Sequence, residues 1–185
     1  MLEGEKNLIN AAKHGDSMAF GALYSHYLPQ IYRFIYLKIG SKPETEDLTH
    51  EVFLSAWRTL PAYKHKGFPL SSWLYQIARN RVIDHFRTKK INFSIEEVTE
   101  DRFLFEEISA DDILDANLGI EKIKEAMKAL PEDQQTILVL RYVEDLPPKE
   151  IAEILEKSEG AVRLAQHRAL IRLKNILQKP NDTEI

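Results

Sequence analysis

Six histidines and 29 acidic residues are the side chains of this 185-residue chain that could perform acid–base or metal chemistry. Their spacing does not form a catalytic pattern, because there is no His-Glu-x-x-His motif and no paired-carboxylate arrangement. The chain has no cysteine, which excludes disulfides, thiolate catalysis and Cys-ligated zinc. We therefore expect no enzyme activity, no cofactor and no metal. A metal-dependent hydrolase that uses the scattered histidines and carboxylates is an alternative that metal analysis would test.

Recognition chemistry is indicated by the stretch 46–57, EDLTHEVFLSAW. At about 100° per residue, one helical face is apolar and typical of a core: Leu48, Val52, Phe53, Ala56 and Trp57, extended by Leu60. The opposite face stacks four side chains of another kind: Asp47, Glu51, Leu54 and Arg58. An exposed leucine among charged side chains indicates a partner-binding surface. The alternative is a structural i, i+4 charge network with an incidental leucine.

A second surface combines aromatic, amide and basic side chains on one face of segment 72–90: Trp73, Gln76, Asn80, Ile83 and Arg87. The loop 61–70 before it adds Tyr63, Lys64, His65, Lys66 and Phe68. Aromatic rings stack on unpaired bases at about 1–3 kcal/mol each, and such a loop could hold a base extruded from the duplex. The alternative is that Trp73 belongs to the core and the basic residues keep the helix soluble.

The stretch 147–174 has the layout of a helix-turn-helix. A short helix with inward Ile151, Ala152 and Leu155 precedes a turn at Glu156-Lys157, and a second helix has inward Val162, Leu170 and Leu173. Candidates for base-edge contacts begin at the expected N-cap: Ser158, Glu159, Gly160, Arg163, Gln166 and His167. Candidates for phosphate contacts are basic: Arg141, Lys157, Arg168 and Arg172. An αα-hairpin with a solvated basic face is the alternative.

The elements that must position these residues are helices throughout, so the predicted fold class is all-α. Helices are predicted at 17–38 (N-cap Asp16, bent or split at Pro29), 72–90 (N-cap Ser71), 119–130, 131–144, 148–155 and 159–178. On 72–90 the predicted buried side is Leu74, Ala78, Val82 and Phe86, with Tyr75 at its edge. We predict two small helical domains, 1–90 and 119–185, joined by a flexible acidic linker, 91–118.

Charge is divided by segment, although the formal net charge is only −4. Two basic tracts, 64–90 and 162–179, lie on either side of the acidic segment 91–118. No window approaches the roughly 18 uninterrupted apolar residues of a membrane span. The N-terminal segment MLEGEKNLIN lacks the features of a signal peptide. We expect a cytoplasmic protein with no membrane contact of its own.

Together these stretches resemble bacterial sigma factors of the extracytoplasmic-function group of the sigma-70 family. A pattern similar to the family's D-L-x-Q-E-x-F-x-x-x-W is formed by Asp47, Leu48, His50, Glu51, Phe53 and Trp57. The family's W-L-x-x-I-A-R-N-x-x-x-D-x-x-R is matched by Trp73, Leu74, Ile77, Ala78, Arg79, Asn80, Asp84 and Arg87. The helix-turn-helix resembles the family's reader of the upstream promoter element, so the resemblance covers nearly the whole chain.

The resemblance implies a sigma region 2-like domain, a region 4-like domain and three sets of binding residues. Core RNA polymerase, through the clamp helices of its largest subunit, would bind Asp47, Leu48, His50, Glu51, Leu54 and Arg58. The minus-ten element would be recognised and melted by Tyr63, Lys64, Lys66, Phe68, Trp73, Gln76, Arg79, Asn80 and Arg87. The minus-thirty-five element would be bound by Arg141, Lys157, Ser158, Glu159, Gly160, Arg163, Gln166, His167, Arg168 and Arg172. The polymerase flap and an anti-sigma factor are further implied partners, and the linker would thread toward the RNA exit path.

The chain departs from the family pattern at three places. His50 stands where glutamine is usual, and an imidazole can still donate a hydrogen bond. Glu156 replaces a common turn glycine, so the turn is expected to close differently or to avoid a positive φ. Leu164 and Ala165 replace a frequent Ser-Arg pair, which is expected to change the upstream preference. The alternative function is a stand-alone helix-turn-helix regulator with an N-terminal sensor domain, which would bind duplex DNA without polymerase.

Overall fold

The computed structural model describes Leu2 and residues 4–65, 67–93, 122–123 and 125–178. Within these ranges the regular elements are helices and no β-strand is present, which confirms the all-α prediction there. The helices are α1 (Glu5–Lys13), α2 (Ser17–Ile39), α3 (Lys42–Thr59), α4 (Leu70–Phe93), α5 (Glu132–Tyr142), α6 (Pro148–Leu155) and α7 (Glu159–Gln178), with a 3₁₀ turn at Leu60–Ala62. No helix in the described ranges is long and apolar enough to cross a membrane.

The chain divides into two compact units, Met1–Phe103 and Leu104–Ile185. Helix α4 continues to Phe93, three residues beyond the predicted domain end at 90. The rest of the predicted acidic linker, 94–118, lies outside the described residues. Of the helix predicted at 119–130, residues 122–123 and 125–128 are helical.

In the N-terminal unit, helix α2 forms the centre of the core. Its residues Ile31, Phe34 and Ile35 are fully buried, and the ring of Phe34 meets that of Tyr75 edge to face at 5.3 Å. The Asp16 carboxylate accepts hydrogen bonds from the backbone N–H groups of Met18 and Ala19, which confirms the predicted N-cap. Of the bend or split predicted at Pro29, the split is wrong, because α2 is continuous from Ser17 to Ile39.

Helix α4 begins two residues earlier than predicted and turns a slightly different side toward the core. Ser71 is not the N-cap, since Leu70 is already helical. Tyr75 is fully buried, whereas Phe86 is 37% exposed, so the prediction of Phe86 as core is wrong. The buried stripe passes through Tyr75 and Val82, and the next inward position falls nearer His85, which lies 3.7 Å from Glu44 on α3.

The C-terminal unit packs α5, α6 and α7 around a small apolar core. Leu130, Leu138 and Ala169 form one cluster, against which Met127, Leu173 and Ile176 pack. The bounds of α6 and α7 match the predicted 148–155 and 159–178. The prediction that Leu170 faces inward is wrong: Leu170 is 39% exposed, because the smaller Ala169 occupies the buried position beside it.

Candidate functional sites

The outer face of α3 is exposed, and we call it the docking face: Asp47, His50, Glu51, Leu54 and Arg58. Leu54 is 39% exposed, whereas Val52, Phe53 and Ala56 on the other side of the same helix are buried. The inner side also buries Thr45 and Thr49, whose hydroxyls donate back to the carbonyls of Ser41 and Thr45. The inner side of α3 thus packs in the core of the unit, and its outer side is a charged surface with a leucine at the centre.

Leu48 does not belong to the docking face. It is only 7% exposed and lies in the core of its own domain. The assignment of Leu48 to direct polymerase contact is therefore corrected: it packs behind α3 and can affect binding only through the fold.

The docking face contacts α4 through a weak ion pair. The Arg81 guanidinium lies 3.9 Å from the Glu51 carboxylate, and both side chains are substantially exposed. An exposed pair at this separation contributes about 0–1 kcal/mol, so it does not hold Glu51 away from a partner. Arg81 was not among the sequence candidates, because the contact depends on how α3 and α4 pack.

Tyr63 and Trp73 form an aromatic pair next to the loop that precedes α4. Their ring centroids lie 4.8 Å apart with the rings tilted by 42°, and both residues are half-buried. Tyr63 follows the 3₁₀ turn, and Trp73 lies one turn inside α4. Trp73 therefore packs against protein on one side and is partly open to solvent. It is neither a pure core residue nor a fully exposed base-stacking surface.

The remaining candidates of this surface follow α4. Asn80 and Arg87 are exposed, and Gln76 and Arg79 are half-buried. In the loop, Lys64 is exposed and Phe68 is half-buried, whereas Lys66 lies outside the described residues. The structure thus brings an aromatic pair, an exposed amide and an exposed guanidinium onto one helix and the loop that leads into it.

Two residues of α1 that the sequence interpretation did not identify hold this loop. Lys13 Nζ donates a hydrogen bond of 2.8 Å to the backbone carbonyl of Tyr63. The Glu5 carboxylate, 5% exposed, accepts from the Tyr27 hydroxyl at 2.5 Å and from the backbone N–H of Leu70 at 2.8 Å. These contacts join residues 50 and 65 positions apart, so no local pattern in the sequence indicates them.

The turn between α6 and α7 keeps a left-handed residue although its glycine is missing. Glu156 has φ 53° and ψ 41°, so the expectation that it avoids a positive φ is wrong. Its backbone N–H still closes α6 by bonding to the carbonyls of Ala152 and Glu153. The Ser158 hydroxyl accepts from the N–H of Ala161 at 3.2 Å, which confirms the predicted N-cap of α7.

On helix α7, Arg163 and His167 are exposed on the side away from buried Val162 and Ala169, whereas Gln166 is half-buried one turn after Val162. Arg163 donates through Nε and Nη2 to one Glu159 oxygen, at 3.0 and 2.6 Å, in an exposed i, i+4 ion pair that is weak in water. Gln166 donates to the Tyr142 hydroxyl at 3.0 Å, a contact the sequence interpretation missed. The other predicted residues of this helix are exposed: Gly160, His167, Arg168 and Arg172.

Two predicted phosphate-binding residues already have partners in the domain. Arg141 donates to the Asp145 carboxylate at 3.3 Å and to the Leu146 carbonyl at 3.2 Å, and so braces the segment between α5 and α6. Lys157 donates to the Asp133 carboxylate. Both ion pairs are on the surface and are weak in water, so either cation can exchange its partner for a phosphate.

Among the described residues, no three histidine, aspartate or glutamate side chains form a group that could hold a metal ion.

Two segments of the chain match two known protein families. Residues 23–91 match sigma-70 region 2, and residues 120–173 match sigma-70 region 4.

Curated relatives extend the similarity along the chain. The sigma factor SigW of Bacillus subtilis is 34% identical over 182 residues, covering 94% of this chain and 96% of that protein. The sigma factor BldN of Streptomyces coelicolor is 35% identical over 177 residues, covering 95% of this chain. The match spans 66% of the length of that Streptomyces protein. Both relatives are described as extracytoplasmic-function RNA polymerase sigma factors.

Solved structures share the fold at lower identity. CnrH in complex with the cytosolic domain of CnrY superposes with a TM-score of 0.71 at 20% identity, covering 94% of this chain and 97% of that one. The sigma factor RpoE of Bartonella quintana, in complex with the anti-sigma factor NepR, gives 0.68 at 20% identity, covering 86% and 96%.

Proposed function

This chain belongs to the extracytoplasmic-function group of sigma-70 family sigma factors, and from that premise we propose how its residues perform the function. A member of this family binds RNA polymerase and recognises promoters. The family matches favour this function over a stand-alone regulator with a sensor domain. Residues 1–90 bind core polymerase and the minus-ten element, and residues 119–185 bind the minus-thirty-five element.

Core polymerase binds the docking face of α3. Asp47 and Glu51 pair with basic side chains of the clamp helices in the largest subunit, while Leu54 enters an apolar pocket between them. The exposure of Leu54 among charged side chains is the observation that carries this step, because protein interfaces bury an apolar centre inside a polar rim. The polymerase flap is the second contact and binds the C-terminal domain.

Helix α7 enters the major groove of the minus-thirty-five element. Arg163 exchanges its weak surface ion pair with Glu159 for a base edge, where an arginine matches guanine. His167 lies one turn further along the helix. Arg168, Arg172, Lys157 and Arg141 neutralise phosphates, which sets the position of the helix without reading sequence.

The loop 63–69 and α4 capture the unpaired bases of the minus-ten element. The Tyr63–Trp73 pair offers a surface for one base to stack, and the exposed Asn80 amide can bond to a base edge. Opening the duplex is then coupled to reading it, because only an unstacked base reaches these side chains. An anti-sigma factor would regulate the protein by covering the docking face of α3, which blocks binding to core polymerase.

Run-off transcription with core enzyme tests this proposal. On a promoter that the wild-type holoenzyme opens, Trp73→Ala and Asn80→Ala are expected to lower the yield of open complex without changing the affinity for core enzyme. Equal open-complex yields for wild type and both variants would refute base capture. A gel shift without core enzyme distinguishes the stand-alone regulator, which would bind duplex DNA tightly by itself.

A further inference from the structure

Helix α1 lies before residues 23–91, the segment that matches sigma-70 region 2. The family match therefore assigns α1 no role in promoter opening. Its inward face is nevertheless unusual, because it buries a carboxylate, Glu5, in line with Ile9 and Ala12. A buried carboxylate is costly unless hydrogen bonds satisfy it. Glu5 is satisfied by two donors, and both lie in other helices: the Tyr27 hydroxyl on α2 and the Leu70 N–H on α4.

The Leu70 contact places Glu5 at the first residue of α4. The first N–H groups of a helix have no partner within the helix, and a negative charge is favoured there. Glu5 therefore acts as a cap supplied from 65 residues away, in the role that the sequence interpretation gave to Ser71. Removing it would release the start of the helix that carries Trp73.

Lys13, at the other end of α1, holds the opposite side of the loop. Its Nζ donates to the carbonyl of Tyr63, the residue that opens the loop after the 3₁₀ turn. The two ends of α1 thus bind the two ends of the loop: Lys13 at Tyr63 and Glu5 at Leu70. The aromatic pair joins these same ends, since Trp73 is three residues beyond Leu70.

We propose that α1 is a positioning element for base capture, in which Lys13 and Glu5 set the separation of the loop ends and thereby hold Tyr63 against Trp73. This inference rests on the proposed capture of unpaired bases by that pair. Without α1 the rings could still reach a base, but they would have to be ordered at the moment of binding, which weakens capture. Neither Lys13 nor Glu5 needs to touch DNA.

Lys13→Met is the most informative variant, because it keeps the length of the side chain and removes only the donor. Lys13 is half-buried at the domain surface, so folding should be retained. Lys13→Arg restores a donor and should rescue the effect. Lys6→Met, an exposed lysine on the same helix, is the matched control.

The first measurement uses the free protein. The chain has two tryptophans, and Trp57→Phe leaves Trp73 as the single reporter. In that background we expect Lys13→Met to increase the local motion of Trp73 in time-resolved fluorescence anisotropy, while Lys13→Arg and Lys6→Met match the parent. Unchanged Trp73 motion in Lys13→Met would overturn the positioning role, whatever happens on DNA.

The second measurement uses holoenzyme on a forked promoter with an unpaired minus-ten strand that carries 2-aminopurine at successive positions. Loss of one hydrogen bond should weaken base capture by roughly three- to ten-fold in Lys13→Met, with the affinity for core enzyme unchanged. Trp73→Ala is the reference. If Trp73→Ala weakens capture and Lys13→Met does not, the role of α1 is wrong and base capture stands. If Trp73→Ala has no effect, base capture fails and the role of α1 falls with it.

Discussion

At the scale of single residues, Leu54 and Leu164 are the two exposed leucines on which the proposed binding surfaces depend. Each lies on the outer side of a helix whose inner side is buried, at 39% and 50% exposure. Leu54 is surrounded by charged side chains that suit a protein partner. Leu164 lies on α7 beside arginines that suit DNA, so the same residue type is expected to serve two different kinds of recognition.

Leu54→Asp is expected to abolish binding to core polymerase while the domain stays folded. A carboxylate placed in an apolar pocket costs several kcal/mol, which corresponds to roughly 100-fold or more in affinity. At an exposed helical position the same change costs only about 0.5–1 kcal/mol of stability. Titration of labelled protein with core enzyme measures the loss, with Met18→Asp, at an 83% exposed position of α2, as the control. Wild-type affinity in Leu54→Asp would contradict the docking face.

Leu164 is expected to read a thymine methyl group in the upstream element. It lies on the side of α7 opposite Leu173, among residues proposed to face the major groove, where apolar side chains contact the thymine methyl. Replacing the contacted thymine by uracil removes one methyl and should cost about 0.8 kcal/mol, roughly four-fold in holoenzyme affinity. Leu164→Ala should be insensitive to that replacement. Indifference of the wild type to every such replacement would exclude the contact.

At the scale of elements, the turn between α6 and α7 carries strain that a single substitution can test. Glu156 occupies a left-handed conformation that costs a non-glycine residue about 1–2 kcal/mol. Glycine at this position would remove that strain, but it loses more backbone entropy on folding, which cancels about half of the gain. Glu156→Gly is therefore expected to stabilise the protein by about 0.5–1 kcal/mol, measured as a higher midpoint of thermal unfolding for the C-terminal domain. Glu153→Gly, inside α6, should have the opposite sign. Equal effects of the two variants would show that the turn is not strained.

Local patterns in the sequence predicted the bounds of α6 and α7, the bounds of α2 to within one residue, and the outer face of α3, but they did not predict α1. Asp16 and Ser158 were identifiable as caps because a capping side chain lies next to the helix it serves. The wrong or missing predictions have a different cause, which is packing between helices. Phe86 and Leu170 lie at the edges of their helical stripes, where the neighbouring helix decides which side chain turns inward. The contacts of Glu5 and Lys13 depend on packing between distant segments, which periodicity cannot indicate.

At the scale of the whole molecule, the net charge of −4 disfavours DNA binding, although the charge of individual segments differs from that sum. The exposed cations of α7 can attract phosphates locally, but acidic residues elsewhere in the chain oppose the approach of DNA. We therefore expect the chain alone to bind promoter DNA weakly, and core enzyme to supply the remaining contacts.

The salt dependence of promoter binding tests this division of contacts. Each phosphate neutralised by the protein contributes about 0.9 to the slope of log affinity against log salt concentration. Arg172→Gln in the holoenzyme should reduce that slope by about one and weaken binding equally on promoters with different upstream sequences. Arg163→Gln should instead reduce discrimination between upstream sequences, because its guanidinium is proposed to face a base. Binding isotherms at several salt concentrations measure both effects. A sequence-dependent loss in Arg172→Gln would mean that this arginine reads bases, and α7 would then lie in the groove in a different orientation.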